Sequence, residues 1–202
     1  MKQFQFKNLL LAASLVMGMA ACEKDDQVNF DLPAYQIAKT EAVVMPDAVK
    51  LPMNAPKGNT RVLTLFAAGV QKYKAVEKAG SDPVVLEWAF VAPQADLYDI
   101  HNNKVGTHTA GPTWQLSAND SIYAQHFAPP QTAPSPDGNT NIDWLLLKTK
   151  DGKTPTGIFA EVDYIQRIVT KGGKAPSAPP SFLGATADVH YTAIYRFSKI
   201  NQ

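Results

Sequence analysis

The chain has 202 residues, with 19 basic against 18 acidic side chains and a formal net charge of +1. That balance forms no basic patch or stripe of the kind a phosphate backbone attracts, so nucleic acid is not an expected partner. Cys22 is the only cysteine, which excludes an intramolecular disulfide and leaves stability to packing.

In chain order, Lys2 and Lys7 precede an apolar run from Leu9 to Met19 that ends in Ala20-Ala21-Cys22. A basic start, a short apolar stretch and small residues at a cut site make a secretory signal peptide, and the run is short for a bilayer span. Small residues directly before a cysteine resemble the lipobox of bacterial lipoproteins, so residues 1–21 are read as a signal peptide and Cys22 as the lipidation site. A plain secreted chain with its cysteine near the cut is the alternative. Glu23-Lys24-Asp25-Asp26-Gln27 is a hydrophilic tether, and it also resembles the export signal that places some lipoproteins on the cell surface. The expected address is extracytoplasmic: the cell envelope, lipid-anchored, at the outer membrane. Residues 22–60 are read as tether and N-terminal extension, and residues 61–202 as a single β-rich domain. About 180 residues remain after cleavage, enough for one core, and no second long apolar segment suggests a membrane span.

Ala34 to Val44 offers a weak helical pattern bracketed by Pro33 and Pro46. Strand signals follow. Arg61 to Phe66, Gly69 to Val76, Val84 to Ala92 and Gly157 to Thr170 carry β-branched and aromatic residues between Gly, Pro, Asn and Asp punctuation. Ile142 to Leu147 is a short apolar run whose length favours a strand buried on both faces. From Ala187, the residues Val189, Tyr191, Ala193, Tyr195 and Phe197 share one face, and Asp188, His190, Thr192 and Arg196 the other. That period of two predicts a half-buried strand. Ala128 to Thr140 and Ala175 to Pro180 are rich in proline and are read as loops. Many short strands in one domain predict a mainly β fold, an antiparallel β-barrel or sandwich with long proline-rich loops.

Gly69-Val70-Gln71-Lys72-Tyr73, Trp88-Ala89-Phe90, Val105 to Trp114, Asp143 to Leu147 and Tyr164-Ile165-Gln166-Arg167 with Gly172-Gly173 and Ala175-Pro176 fall in one characteristic order. In that order and spacing the chain resembles Domain of Unknown Function 3455, a secreted family of bacteria and fungi, from about Arg61 to Phe197. The resemblance implies one extracytoplasmic domain and no established activity or cofactor. Family members often carry two cysteines where this chain has Ala75 and about Pro180, so the resemblance implies that this copy lacks a family disulfide.

The candidate binding residues are His108, Trp114, Trp144, Gln166 and Arg167. His108 and Trp114 flank the Gly111-Pro112 turn, placing an imidazole and an indole near one strand end. An imidazole can act as base or ligand near neutral pH, but a ring that bonds a loop carbonyl to hold the turn is the favoured account of the residue. Gln166 and Arg167 are adjacent in a strand, so they face opposite ways. An inward arginine needs Glu161, Asp163 or Asp96 as an ion-pair partner, or else presents a fork to a carboxylate or phosphate. Trp88, Trp114, Trp144, Tyr73, Tyr164 and Tyr191 are either a sugar-binding surface or core. His101, His108 and His126 show no ligand-pair spacing, so no metal or other cofactor is expected. There is no Gly-x-Ser-x-Gly elbow and no phosphate loop, and Gly172-Gly173 reads as a surface turn. The expected function is a non-enzymatic binding module for a small molecule, glycan or envelope component. The alternative is an envelope hydrolase or isomerase pairing His108 with Asp96, Asp99 or Asp143.

Overall fold

The computed structural model describes residues 43–136 and 138–202. The signal-like segment, Cys22, the tether and nearly all of the weak helical pattern lie outside the described residues. Val43 and Val44, at the end of that pattern, are not helical.

Eight antiparallel strands form one sheet that closes on itself in chain order. They are β1 (Asn59–Glu77), β2 (Leu86–Tyr98), β3 (Lys104–Thr109), β4 (Thr113–Ser117), β5 (Asp120–Ala133), β6 (Trp144–Thr149), β7 (Tyr164–Gly172) and β8 (Thr186–Ile200). Pairing of β1 with β8 from Asn59↔Ile200 to Lys74↔Thr186 closes the ring, so the fold is a barrel, not a sandwich. Closure pairs the strand that would otherwise be an exposed edge.

The alternation read in β8 holds. Tyr191, Ala193, Tyr195 and Phe197 point into the barrel, where Leu65, Leu97, Trp114, Ile122, Leu147 and Ile165 meet them. The outer face of β8 is not uniformly wet, because Ile194 packs with Phe66, Trp144, Leu146 and Ile168 beneath Val49 of the segment before β1. Val49 is 0% exposed. This segment covers β1, β6, β7 and β8 from outside. Within the run Ile142 to Leu147 the stretch Trp144 to Leu147 is therefore apolar for the reason expected, with Leu147 inward and Trp144 and Leu146 outward.

Two expectations change. The proline-rich stretch from Ala128 is not all loop, since β5 continues to Ala133. Its pairing with β6 jumps from His126↔Leu147 to Gln131↔Leu146, so Pro129 and Pro130 sit in a bulge where their missing N–H groups cost no ladder bond. The predicted strand from Gly157 begins only at Tyr164, and Gly157–Phe159 is a 3-10 turn.

That turn closes one end of the barrel. Phe159 is buried and its ring lies 5.0 Å from that of Phe197. Gly157 has φ +58°, and a Cβ there would stand 2.0 Å from Asp120 Oδ1 and 2.5 Å from the Asn119 carbonyl, so a side chain is excluded. The opposite end, where β1–β2, β3–β4, β5–β6 and β7–β8 are joined, stays open.

Candidate ligand site at the barrel mouth

The open end contains a cavity of about 180 Å³. Inward residues of most strands line it: Gln71 from β1, His108 from β3, Trp114 from β4, Leu145 and Leu147 from β6, Arg167 from β7 and Tyr195 from β8. The β3–β4 turn at Ala110-Gly111-Pro112 and residues Phe90 to Pro93 of β2 form its rim. Gly111 adopts φ +127°, a conformation that side chains rarely take, and this lets a three-residue turn join the two strands.

His108 and Trp114 are register partners across β3 and β4. Their rings stack at 4.4 Å and 14°. Trp114 continues edge-on to Tyr195 at 5.1 Å and to Phe197 at 5.7 Å, giving an aromatic column from the mouth down to Phe159. His108 Nδ1 lies 2.9 Å from the Thr113 carbonyl oxygen, to which it donates, and this makes Nε2 the acceptor of the neutral ring. The histidine thus holds the turn. Burial, with a smaller push from the Arg167 charge, lowers its pKa to about 4 despite the Thr113 bond, so the ring is neutral at pH 7.

Arg167 pairs in register with Leu145 on one side and Tyr195 on the other, all on the inner face. Its Nε and Nη2 donate to the Asp143 carbonyl at 3.1 and 2.7 Å. The ion pair expected with Glu161, Asp163 or Asp96 does not form. Asp96 pairs with Lys104 at 2.9 Å and Glu161 with Lys199 at 2.7 Å, while Asp163 accepts from the Ile200 N–H. Register explains this: Asp96 lies between inward Ala95 and Leu97 and so faces outward. The guanidinium charge still reaches the interior, where it opposes the burial that raises the Tyr191 and Tyr195 hydroxyls above the ordinary tyrosine value.

Several polar atoms inside the barrel lack a well-formed partner among the described residues. Trp114 Nε1 is buried without a hydrogen bond, and Gln71 Nε2, Tyr191 Oη and Tyr195 Oη are buried beside one another and Arg167 without reaching good hydrogen-bond geometry. Gln71, Trp114 and Tyr195 belong to the cavity wall and are each at most 2% exposed. An unpartnered buried polar group costs about 1–3 kcal/mol, so an interior with several is not optimised for packing alone.

The remaining candidates lie elsewhere. Gln166 faces outward and donates from Nε2 to the Val49 carbonyl at 2.6 Å, fastening the covering segment. Trp144 belongs to the same outer cluster. Trp88 donates to the Ala178 carbonyl, Tyr73 to the Gly173 carbonyl, and Tyr164 stacks on Phe127, so the aromatics form no shared sugar platform. Gly173 is buried, so Gly172-Gly173 is not a surface turn. Ala75 exchanges backbone bonds with Ala185 and Gly184, which tie β1 to the β7–β8 connection without a disulfide. Among the described residues no aspartate or glutamate lines the cavity. Asp99 accepts bonds from His101 and Asn103 in the β2–β3 turn, at the far end. His126 joins His108 at the mouth whereas His101 lies in that distal turn, and among the described residues no group of three metal-ligating side chains is present.

Sequence reasoning missed Gln71, His126 and Tyr195 as wall residues. Tyr195 already lay on the inward face of β8, and Gln71 stands two residues from Gly69 and Tyr73 in the quoted motif. Both signals were there once the barrel interior was identified as the site.

The model of the family described as protein of unknown function, DUF3455, matches residues 56–199. The chain belongs to this family. No curated protein matches this DUF3455 chain. No solved structure matches it either. Function therefore has to be argued from the site itself.

Proposed function

We propose that this DUF3455 chain is a non-enzymatic binding module that holds a small molecule in the open mouth of its barrel. The observation carrying this reading is the cavity itself: one barrel end is plugged by Phe159 while the other converges His108, Trp114 and Arg167 from three strands on one space. Barrel mouths are favoured ligand sites because the sheet positions side chains rigidly around a preformed hollow. A largely apolar wall with a few fixed polar groups gives both affinity and orientation. The absence of a carboxylate beside His108 among the described residues, and the proton its Nδ1 donates to Thr113, favour binding over acid–base turnover.

The same reading takes Cys22 as a lipid-bearing residue that anchors the module to the cell envelope on the outer membrane. Acyl methylenes each add about 0.8 kcal/mol of membrane affinity, and more than one chain makes attachment stable.

A thermal-shift screen of ring-sized sugars, organic acids, amines and amides tests the binding reading, with Leu145→Trp alongside to fill the cavity from its inner wall. A ligand at a hundredfold its Kd stabilises by about 2.7 kcal/mol, raising the midpoint by roughly 5–10 °C for a domain of this size. The reading requires shifts that Leu145→Trp removes. Shifts that survive in that variant would move the site elsewhere.

A further inference from the structure

This inference deepens the reading of the mouth cavity as a ligand site and rests on it. We infer that the ligand is a small monocarboxylate bearing one planar apolar group about the size of a benzene ring.

The charge of the wall points to an anion. Arg167 brings a positive charge to a cavity that, among the described residues, no aspartate or glutamate lines. Two of its nitrogens are held by the neutral Asp143 carbonyl, and its guanidinium also acts on the neutral Tyr195 hydroxyl, so the groups shown against it carry no compensating negative charge. A cation against apolar walls is poorly solvated and gains most from an anion that brings its own oxygens. Gln71 and Trp114, two residues of the same wall, carry the donor groups Nε2 and Nε1, neither of which makes a well-formed hydrogen bond among the described residues.

The count of cations selects a carboxylate. Among the described residues no lysine and no second arginine lines the cavity, so a phosphate dianion would keep about half its charge uncompensated. A carboxylate carries one charge and matches one guanidinium fork.

The volume and walls select the body. A cavity of about 150 Å³ lined by aliphatic and aromatic groups binds benzene, and this one is slightly larger at about 180 Å³. Leu145, Leu147, Pro93 and Phe90 provide its apolar surface. A ring and a carboxylate fill that space, whereas a disaccharide or a nucleotide does not fit inside it.

Isothermal titration at pH 7 with benzoate, its neutral isostere benzamide, and inorganic phosphate tests the inference on the whole protein and on Arg167→Met. Benzoate is expected to bind about tenfold or more tightly than benzamide, with phosphate silent, because a hydrogen bond to a charged group is worth at least one decade of affinity. Arg167→Met is expected to abolish that preference. The wild-type comparison alone decides the question if the variant fails to fold. Equal binding of benzoate and benzamide, or tighter binding of phosphate, overturns the carboxylate assignment while leaving a mouth ligand site in place. If neither ring compound binds, the carboxylate assignment fails. If in addition nothing in the wider screen binds at the mouth, the binding reading fails with it.

Discussion

Gln166 and Arg167 are consecutive residues of β7 that serve opposite sides of one wall. Gln166 donates outward to Val49 at 2.6 Å, and Arg167 faces the mouth cavity, braced on the Asp143 carbonyl at 2.7 Å. The period of two in a strand makes one of them a fastener for the cover and the other a charge for the interior.

The fastener has a measurable consequence. Gln166→Ala leaves the buried Val49 carbonyl without its donor and is expected to destabilise the fold by about 1–3 kcal/mol. Ligand affinity should stay within about twofold, because the side chain is outside the cavity. Chemical denaturation and calorimetry read the two effects separately.

His108 makes stability depend on pH. Its folded pKa of about 4 lies below the ordinary 6.5, so its contribution is full above pH 6.5 and is lost as pH falls toward 4. The difference corresponds to about 3 kcal/mol. His108→Gln should flatten the stability profile between those pH values relative to wild type. Superimposable profiles of the two proteins would show that the imidazole is not held neutral by burial.

The plug at the closed end is the third test. Phe159→Ala removes a fully buried ring tilted against that of Phe197 and is expected to cost about 3–5 kcal/mol. Gly157→Ala should be destabilising too, since its added Cβ collides with Asp120 and the Asn119 carbonyl at a positive φ. Both are read by thermal unfolding.

The anchor is tested in cells. Cys22→Ser should abolish incorporation of labelled palmitate and move the protein from the membrane to the soluble fraction. Retention of label in the variant would contradict lipidation at Cys22.

The legible parts of the fold were those governed by local periodicity. Tyr191 to Phe197 alternate because β8 has a core on its inner face, and Leu145 to Leu147 run apolar because β6 is covered on both. β1 read as two strands because Ala67-Ala68-Gly69 resembles punctuation. The small residues instead permit close approach, as a Cβ on Gly69 would stand 2.2 Å from the Gln94 carbonyl. β5 was obscured by prolines that a bulge accommodates, and the cover at Val49 by the lack of any period in an extended segment. Of the candidate site, His108, Trp114 and Arg167 come together because each is an inward position of a different strand. Gln166 and Trp144 do not, because pairing register rather than proximity in sequence decides which face a residue serves.

The most direct test of the mouth site is a 15N–1H NMR titration of the protein with ring-sized fragments, following backbone amides and the indole signals of Trp88, Trp114 and Trp144. A mouth site predicts shifts concentrated on His108, Trp114, Leu145, Leu147 and Arg167, with the Trp144 indole and Gln166 unmoved. Shifts confined to the outer wall around Trp144, or none in the Trp114 indole with any fragment, would contradict it.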